Sequence, residues 1–164
     1  MTAGTLTTGA RGKTLNQPLP EPPGGMSAGA LQSTHRAVAR LCDMLEAVAD
    51  SLPAHVDRRL CHRLADELAP SLKAAQEFEE MQIFPAIRSA AEGRTTASAA
   101  LERLEYEHFE DLCFAEEASE VLRRLANGGH VNTEALGYML RGLFNALRRH
   151  MMFEQEFIQH GARG

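Results

Sequence analysis

The fold is decided by residues 136–157, LGYMLRGLFNALRRHMMFEQEF. The apolar positions of this stretch recur in alternating steps of four and three, which is the spacing of one face of an α-helix. The stripe runs through Leu136, Leu140, Leu143, Leu147, His150, Glu154 and Phe157. A long helix is therefore predicted here, and polar residues occupy two of the positions where leucine would be expected.

Three breaks divide the rest of the chain into pieces with the same helical spacing. The breaks are Pro53, the run at residues 92–96, and Asn127-Gly128-Gly129, and all are helix stop or start signals. The predicted helices run from about 28 to 52, 54 to 91, 97 to 126 and 133 to 160, and Pro70 and Pro85 should kink or interrupt the second. Four long helices with short links predict an all-α, antiparallel up-down-up-down four-helix bundle over residues 28–160. Residues 1–27, rich in Thr, Gly and Pro, are expected to form a flexible N-terminal tail.

Composition excludes several classes of function. The 164 residues include 5% aromatic residues and no Trp, which argues against a β-sandwich or barrel. A net charge of −5 argues against nucleic-acid binding, and no apolar run approaches the roughly 20 residues of a membrane span. Three cysteines without a CxxC pair indicate a reduced, cytoplasmic chain.

Six polar residues interrupt the apolar seams of the four predicted helices: His35, Gln76, Glu80, His108, His150 and Glu154. At a rise of about 1.5 Å per residue, His35 lies roughly 12 Å and His108 roughly 17 Å from the starts of their helices. The second and fourth helices run the other way, and Glu80 and Glu154 lie roughly 17 Å and 9 Å before their ends. These four positions and His150, roughly 15 Å before the end of the fourth helix, therefore fall in one layer. Buried carboxylates are costly unless they are paired or bind a metal, so the layer predicts a metal site.

The ligand types limit the choice of metal. His150-x3-Glu154 places an imidazole and a carboxylate one turn apart on one helix face, as chelation requires. Imidazole and carboxylate without thiolate suit iron, manganese or zinc. For any one of these histidines taken alone, a core imidazole bonded to a neighbour is the alternative interpretation.

Residues from about 31 to 158 resemble a hemerythrin-type HHE cation-binding domain. The resemblance is carried by Thr34-His35-Arg36, the run from Glu79-Glu80 to Phe84-Pro85, Glu107-His108, and His150-Met151-Met152-Phe153-Glu154. It implies a non-haem di-iron site that dioxygen or nitric oxide can reach through open coordination positions. In that family pattern His35 would bind one iron, His108 and His150 the other, and Glu80 and Glu154 would bridge or cap.

One position departs from the family pattern. Gln76 stands where a histidine four residues before Glu80 is expected, and a neutral amide oxygen is a weak ligand for iron. Glu77 is a candidate replacement, and its alternative role is that of a solvated acid. The pattern therefore leaves open two iron ions with altered ligands, one iron ion, or a partly empty site.

Two functions follow as hypotheses. The first is a binding protein that holds dioxygen or nitric oxide for sensing, storage or detoxification, and not an enzyme, because no general acid or base is evident. The second is a regulatory or interaction module with a degenerate or mononuclear metal site. Weak oxidase or peroxidase activity of the iron centre is a third alternative.

Overall fold

The computed structural model describes residues 24–90 and 95–161, so residues 1–23 of the predicted tail lie outside the described residues. These ranges form α1 (Gly24–Ser51), α2 (Arg58–Phe78), a π-helical segment (Glu79–Ile83), α3 (Phe84–Ala90), α4 (Thr95–Ala126) and α5 (Thr133–Gly161). They contain no strand. The second rod of the bundle consists of α2, the π-helical segment and α3 in direct succession.

The long helices pack as a ring in which each rod contacts its two neighbours. α1 lies between α2 and α5, and α4 lies between the same two helices on the other side. The links between α1 and α2 and between α4 and α5 are short, so consecutive rods run in opposite directions. The predicted antiparallel four-helix bundle is confirmed.

The helix ends are fixed by local side-chain and backbone chemistry. α2 begins at Arg58, four residues later than predicted, because the Asp57 carboxylate caps it by accepting from the backbone N–H groups of residues 59 and 60. Asn132 caps α5 by accepting from the N–H of Ala135 at 3.0 Å. α4 ends where Gly128 adopts a φ of 79°, a left-handed conformation that favours glycine.

The predicted interruption of the second rod occurs near one of its two prolines. α2 includes Pro70, which is exposed, and remains helical there. The π-helical segment ends two residues before Pro85, and the Phe84 N–H donates to the carbonyl of Glu79, five residues back. Pro85 has no N–H, and its ring crowds the carbonyl four residues earlier, which belongs to Met81. The π-helical segment, with its wider turn, therefore contains the carbonyl group that the proline ring crowds.

The core is divided into two apolar clusters along the bundle axis. The larger cluster includes Val38, Leu72, Ala115 and Leu147 and extends toward the end that carries the α1–α2 and α4–α5 links. The smaller one consists of Leu31, Ile83, Phe84, Leu101 and Leu104 at the opposite end. Between the two clusters, each rod carries one or more of the polar side chains of His35, Glu79, His108, His150 and Glu154. The predicted layer of polar side chains therefore lies where the apolar core is interrupted.

The three cysteines are free thiols. Cys42 and Cys61 are buried and Cys113 is exposed. Burial raises the pKa of the Cys42 thiol to about 11, so this side chain behaves as a small apolar group.

Candidate metal centre

The polar layer brings together five side chains from all four rods. His35 comes from α1, Glu79 from the first position of the π-helical segment, His108 from α4, and His150 and Glu154 from α5. Four of them are buried, and the His35 side chain is 13% exposed. Glu154 is 0% exposed.

These side chains form two groups that could each hold a cation. One group is His35, Glu79 and Glu154, and the other is Glu79, His108 and His150. Within each group the candidate ligand atoms lie within 4.8 Å of one another. Glu79 belongs to both groups, with Oε1 at 3.8 Å from His35 Nε2 and Oε2 at 3.3 Å from His108 Nε2. Its two oxygens therefore face different groups.

The spacing of the ligand atoms suits one ion per group. His108 Nε2 and His150 Nε2 are 3.0 Å apart, and His35 Nε2 is 2.7 Å from Glu154 Oε2. Two atoms that each lie about 2.1 Å from a common ion are roughly 3 to 3.5 Å apart at ordinary bond angles. An ion could enter either group without large movement of the side chains.

Only some of the residues predicted for the site lie in the polar layer. The structure brings His35, His108, His150 and Glu154 into the layer, and it places Glu80 at its outer edge, where Oε1 lies 2.8 Å from His108 Nδ1 and the side chain is 39% exposed. Gln76 is buried one turn before Glu79. Glu77 points to solvent and pairs with Lys73 at 3.8 Å.

Glu79 was missed because the seam predicted for the second helix advanced in repeated steps of four, through Leu60, Leu64, Leu68, Leu72, Gln76 and Glu80. Each such step turns about 40° beyond a full rotation, since an α-helix turns about 100° per residue. Glu80 consequently lies about 120° from the buried Leu68, whereas Glu79 lies only about 20° from it. A seam through Leu72, Ala75 and Glu79 keeps the alternation of threes and fours, and all three residues are buried.

Glu154 has a buried oxygen without a partner. Its Oε2 is hydrogen-bonded to His35, while Oε1 has no hydrogen-bond partner among the described residues. Buried carboxylate oxygens are normally satisfied, so the unpartnered atom supports a cation at this position. Three imidazoles and two carboxylates also form a donor set that fits iron, manganese or zinc.

The neighbouring charges shift the pKa values inside the layer. Burial raises the pKa of Glu79, against the opposing effect of His108. The pKa of His108 is raised because Glu79 and Glu80 together outweigh its burial. Burial and the charge of His108 lower the pKa of His150. Of these two histidines, His108 is the one whose protonated form is favoured, and its Nε2 lies 3.0 Å from Nε2 of His150.

A polar groove of about 340 Å³ borders the layer between α4 and α5. Its lining includes His150, Glu107, Arg149 and Asp111, and Asp111 is buried. Burial raises the pKa of Asp111 to about 6, with the charges of nearby carboxylates adding to the shift and His108 opposing it.

Asp111 gives a pH-dependent prediction for the metal-free protein. Its folded-state pKa of about 6 is above the ordinary value of 3.8, so stability is lost as the pH rises between these values. A shift of this size corresponds to about 2–3 kcal/mol at pH 7. Asp111→Asn should remove that penalty, gaining stability relative to the parent at pH 7 and nothing below about pH 4.

Urea unfolding of the parent and of Asp111→Asn across pH 4 to 8 would measure this difference. Glu117→Gln, an exposed acid on the same helix, controls for the loss of one negative charge. A difference between Asp111→Asn and the parent that stays constant with pH would contradict the prediction.

The described residues contain no helix that is both long and apolar enough to cross a bilayer.

Comparison with known families finds a match of residues 27–158 to the hemerythrin HHE cation-binding domain. Searches of curated proteins and of solved structures gave no match to this chain. The family match covers most of the chain and the whole of the polar layer, so the chain belongs to the hemerythrin HHE cation-binding family.

Proposed function

We propose that the polar layer binds iron, and that the iron-loaded protein holds dioxygen or nitric oxide for sensing, storage or detoxification. The single observation that carries the proposal is the pair of ligand groups sharing Glu79. A carboxylate whose two oxygens face different groups is suited to bridge two ions. When bound, iron supplies open coordination positions at which a diatomic ligand can be held.

The side chains of the layer provide the ligands and their orientation. Glu79 offers one oxygen to each group, and Glu154 Oε1 is available because no protein donor uses it. The histidines turn Nε2 inward, as the 3.0 Å approach between His108 and His150 indicates. All these groups are carried on helices, which hold ligands more rigidly than loops do.

The apolar residues around the layer exclude water from it. Phe84 is fully buried and stacks on the His108 ring with centroids 5.6 Å apart and an interplanar angle of 18°. Leu101 and Leu104 are fully buried in the same cluster. A dry environment strengthens electrostatic interactions within the centre and limits side reactions of a bound ligand with water.

A second groove offers a route to the centre for a small ligand. It has a volume of about 690 Å³, lies between α1 and α5, and is bordered by His35. Leu31, Met151 and Ile158 give it a largely apolar lining. An apolar route favours neutral diatomic molecules over hydrated ions.

The proposed role is binding and not catalysis of a reaction on an organic substrate. The titratable groups of the layer are used as ligands or as partners of ligands, which leaves none assigned to proton transfer with a substrate. The second candidate is a regulatory module with an incomplete metal site. The observation that favours it is that neither buried residue one turn before the shared Glu79 is a histidine, since these positions hold Ala75 and Gln76.

Metal loading and thermal unfolding distinguish the two candidates. Anaerobic addition of ferrous iron should give one to two ions per chain and raise the thermal midpoint, because binding to the native state adds free energy. The gain is about 2.7 kcal/mol when free iron is about 100 times its Kd. Visible absorption should then change on exposure to oxygen or to nitric oxide.

A chelator should return the midpoint to that of the metal-free protein. If iron binds substoichiometrically and the chelator does not change the thermal midpoint, the proposal is contradicted and the regulatory module is favoured. If iron binds stoichiometrically but neither gas changes the spectrum, the binding of dioxygen or nitric oxide is contradicted and the metal centre remains supported.

A further inference from the structure

In the group of Glu79, His108 and His150, each histidine contacts a carboxylate outside the group through its Nδ1. His108 places Nδ1 at 2.8 Å from Glu80 Oε1, and His150 places Nδ1 at 3.1 Å from Glu107 Oε2. Their Nε2 atoms meet in the interior. Both rings therefore present the same nitrogen to the centre and the same nitrogen to an outer carboxylate.

The outer carboxylates lie outside the ligand groups. The side chains of Glu80 and Glu107 are 39% and 26% exposed, compared with 5% for Glu79. Neither residue belongs to the groups whose ligand atoms lie within 4.8 Å of one another. Glu107 is itself fixed by Arg103, whose Nε donates to it at 2.7 Å.

The consecutive residues Glu79 and Glu80 have different roles at the same imidazole. Oε2 of Glu79 lies 3.3 Å from Nε2 of His108, and Oε1 of Glu80 lies 2.8 Å from Nδ1 of the same ring. The two carboxylates therefore flank opposite edges of the ring, one from inside the layer and one from its rim.

A carboxylate that accepts from Nδ1–H determines which nitrogen of a neutral imidazole keeps its lone pair. With the proton held on Nδ1, the lone pair lies on Nε2, the atom that must bind a metal. Such partners also raise the basicity of the ligand, and their loss typically weakens metal binding 10- to 100-fold.

The other group has no equivalent arrangement. His35 uses Nε2 for its 2.7 Å contact with Glu154, and within the described ranges no carboxylate lies within ion-pair distance of its Nδ1. The two groups therefore differ in how firmly their imidazoles are oriented.

We propose that Glu80 and Glu107 are positioning residues that fix His108 and His150 in the metal-binding tautomer, so that the group of Glu79, His108 and His150 holds its ion more tightly than the other. This inference rests on the proposed metal-binding function. It assigns Glu80 a role different from the bridging or capping role that the family resemblance implied.

The test is an anaerobic titration of the full chain with ferrous iron, comparing the parent with Glu80→Gln, Glu107→Gln and the double variant. The parent should bind in a tight and a weak step. Each single variant should weaken the tight step about 10- to 100-fold, and the number of ions bound should not change. Glu77→Gln and Glu102→Gln, exposed acids on the same rods, should match the parent.

A second measurement reports the tautomer directly. In the zinc-loaded protein, ¹⁵N chemical shifts should show Nδ1 protonated and Nε2 metal-bound for His108 and His150, and this signature should weaken in the corresponding glutamine variant. Circular dichroism and the thermal midpoint of the metal-free variants show whether the bundle is intact.

The outcomes separate the inference from the proposed function. A parent chain that binds no metal overturns both. A parent that binds metal while both variants keep its tight affinity overturns the inference alone. Loss of one ion in Glu80→Gln, with Glu107→Gln silent, would make Glu80 a ligand and also overturn it.

Discussion

Glu79→Gln should abolish metal binding by both ligand groups at once. Glu79 is the residue the two groups share, and its oxygens face different histidines. Glutamine preserves the shape of the side chain but removes the charge that balances two cations. Since loss of a residue that merely orients a ligand costs 10- to 100-fold, loss of a shared ligand should exceed about 100-fold in affinity for each ion.

The measurement is metal content after equilibrium dialysis against ferrous iron, together with the thermal midpoint with and without chelator. Glu79→Gln should lose the part of the thermal midpoint that depends on metal, so its midpoint should be the same with and without chelator. Glu77→Gln, two residues earlier and exposed, is the matched control and should bind as the parent does. Stoichiometric binding of two ions by Glu79→Gln would refute the shared role.

The sequence predicted the bundle because most of the information for this fold is local. The alternating steps in α5 place Leu136, Leu140, Leu143 and Leu147 on one face, and all four are buried. Gly128 ends α4 because its left-handed conformation suits a residue without a side chain. The start of α2 was placed four residues early because Pro53 signals only a break, whereas Asp57 supplies the cap.

The choice between Glu79 and Glu80 depends on the rotation accumulated along the second rod, which the predicted steps of four did not follow. Steps of four describe Leu60, Leu64 and Leu68 well over a short stretch, but the accumulated rotation grows with each step. The π-helical segment at Glu79–Ile83 further changes the register of the residues that follow. Crowding around Pro85 is a local effect, but the contacts of this segment with α1 are made across the bundle.

The contacts of Glu80 and Glu107 depend on tertiary structure for the same reason. Sequence spacing shows which face of a helix a residue occupies, but it does not show that two carboxylates on different rods reach the outer nitrogens of two imidazoles. Those contacts require the crossing of the rods and the rotamers of four side chains. The pairing of Glu80 with His108 and of Glu107 with His150 could not be predicted from helix faces alone.

The polar layer trades stability for function. It separates two apolar clusters that would otherwise be continuous, and it buries Glu154 completely with one oxygen unpartnered. Buried carboxylates without full compensation destabilise a fold. A residue kept for metal binding should therefore weaken the metal-free protein, and its replacement by an apolar residue should strengthen it.

Glu154→Met should raise the stability of the metal-free protein and weaken metal binding. Methionine is flexible enough to fill the space left by the carboxylate, and it removes a buried carboxylate oxygen without a partner, a group that costs about 1–3 kcal/mol. His35 loses its acceptor but is partly exposed, so water can replace the lost bond. The metal-free variant should be more stable than the metal-free parent, while binding to the group of His35, Glu79 and Glu154 is lost.

Urea unfolding with and without iron measures both effects on one protein. Iron should stabilise the parent by more than it stabilises Glu154→Met, because the variant retains only the group of Glu79, His108 and His150. Gln155→Met adds the same side chain at an exposed neighbouring position and should change stability by less than about 0.5 kcal/mol. A metal-free Glu154→Met that is less stable than the parent would show that this carboxylate stabilises the bundle through His35. In that case the cost of the layer would lie in Glu79, whose pKa is raised by burial.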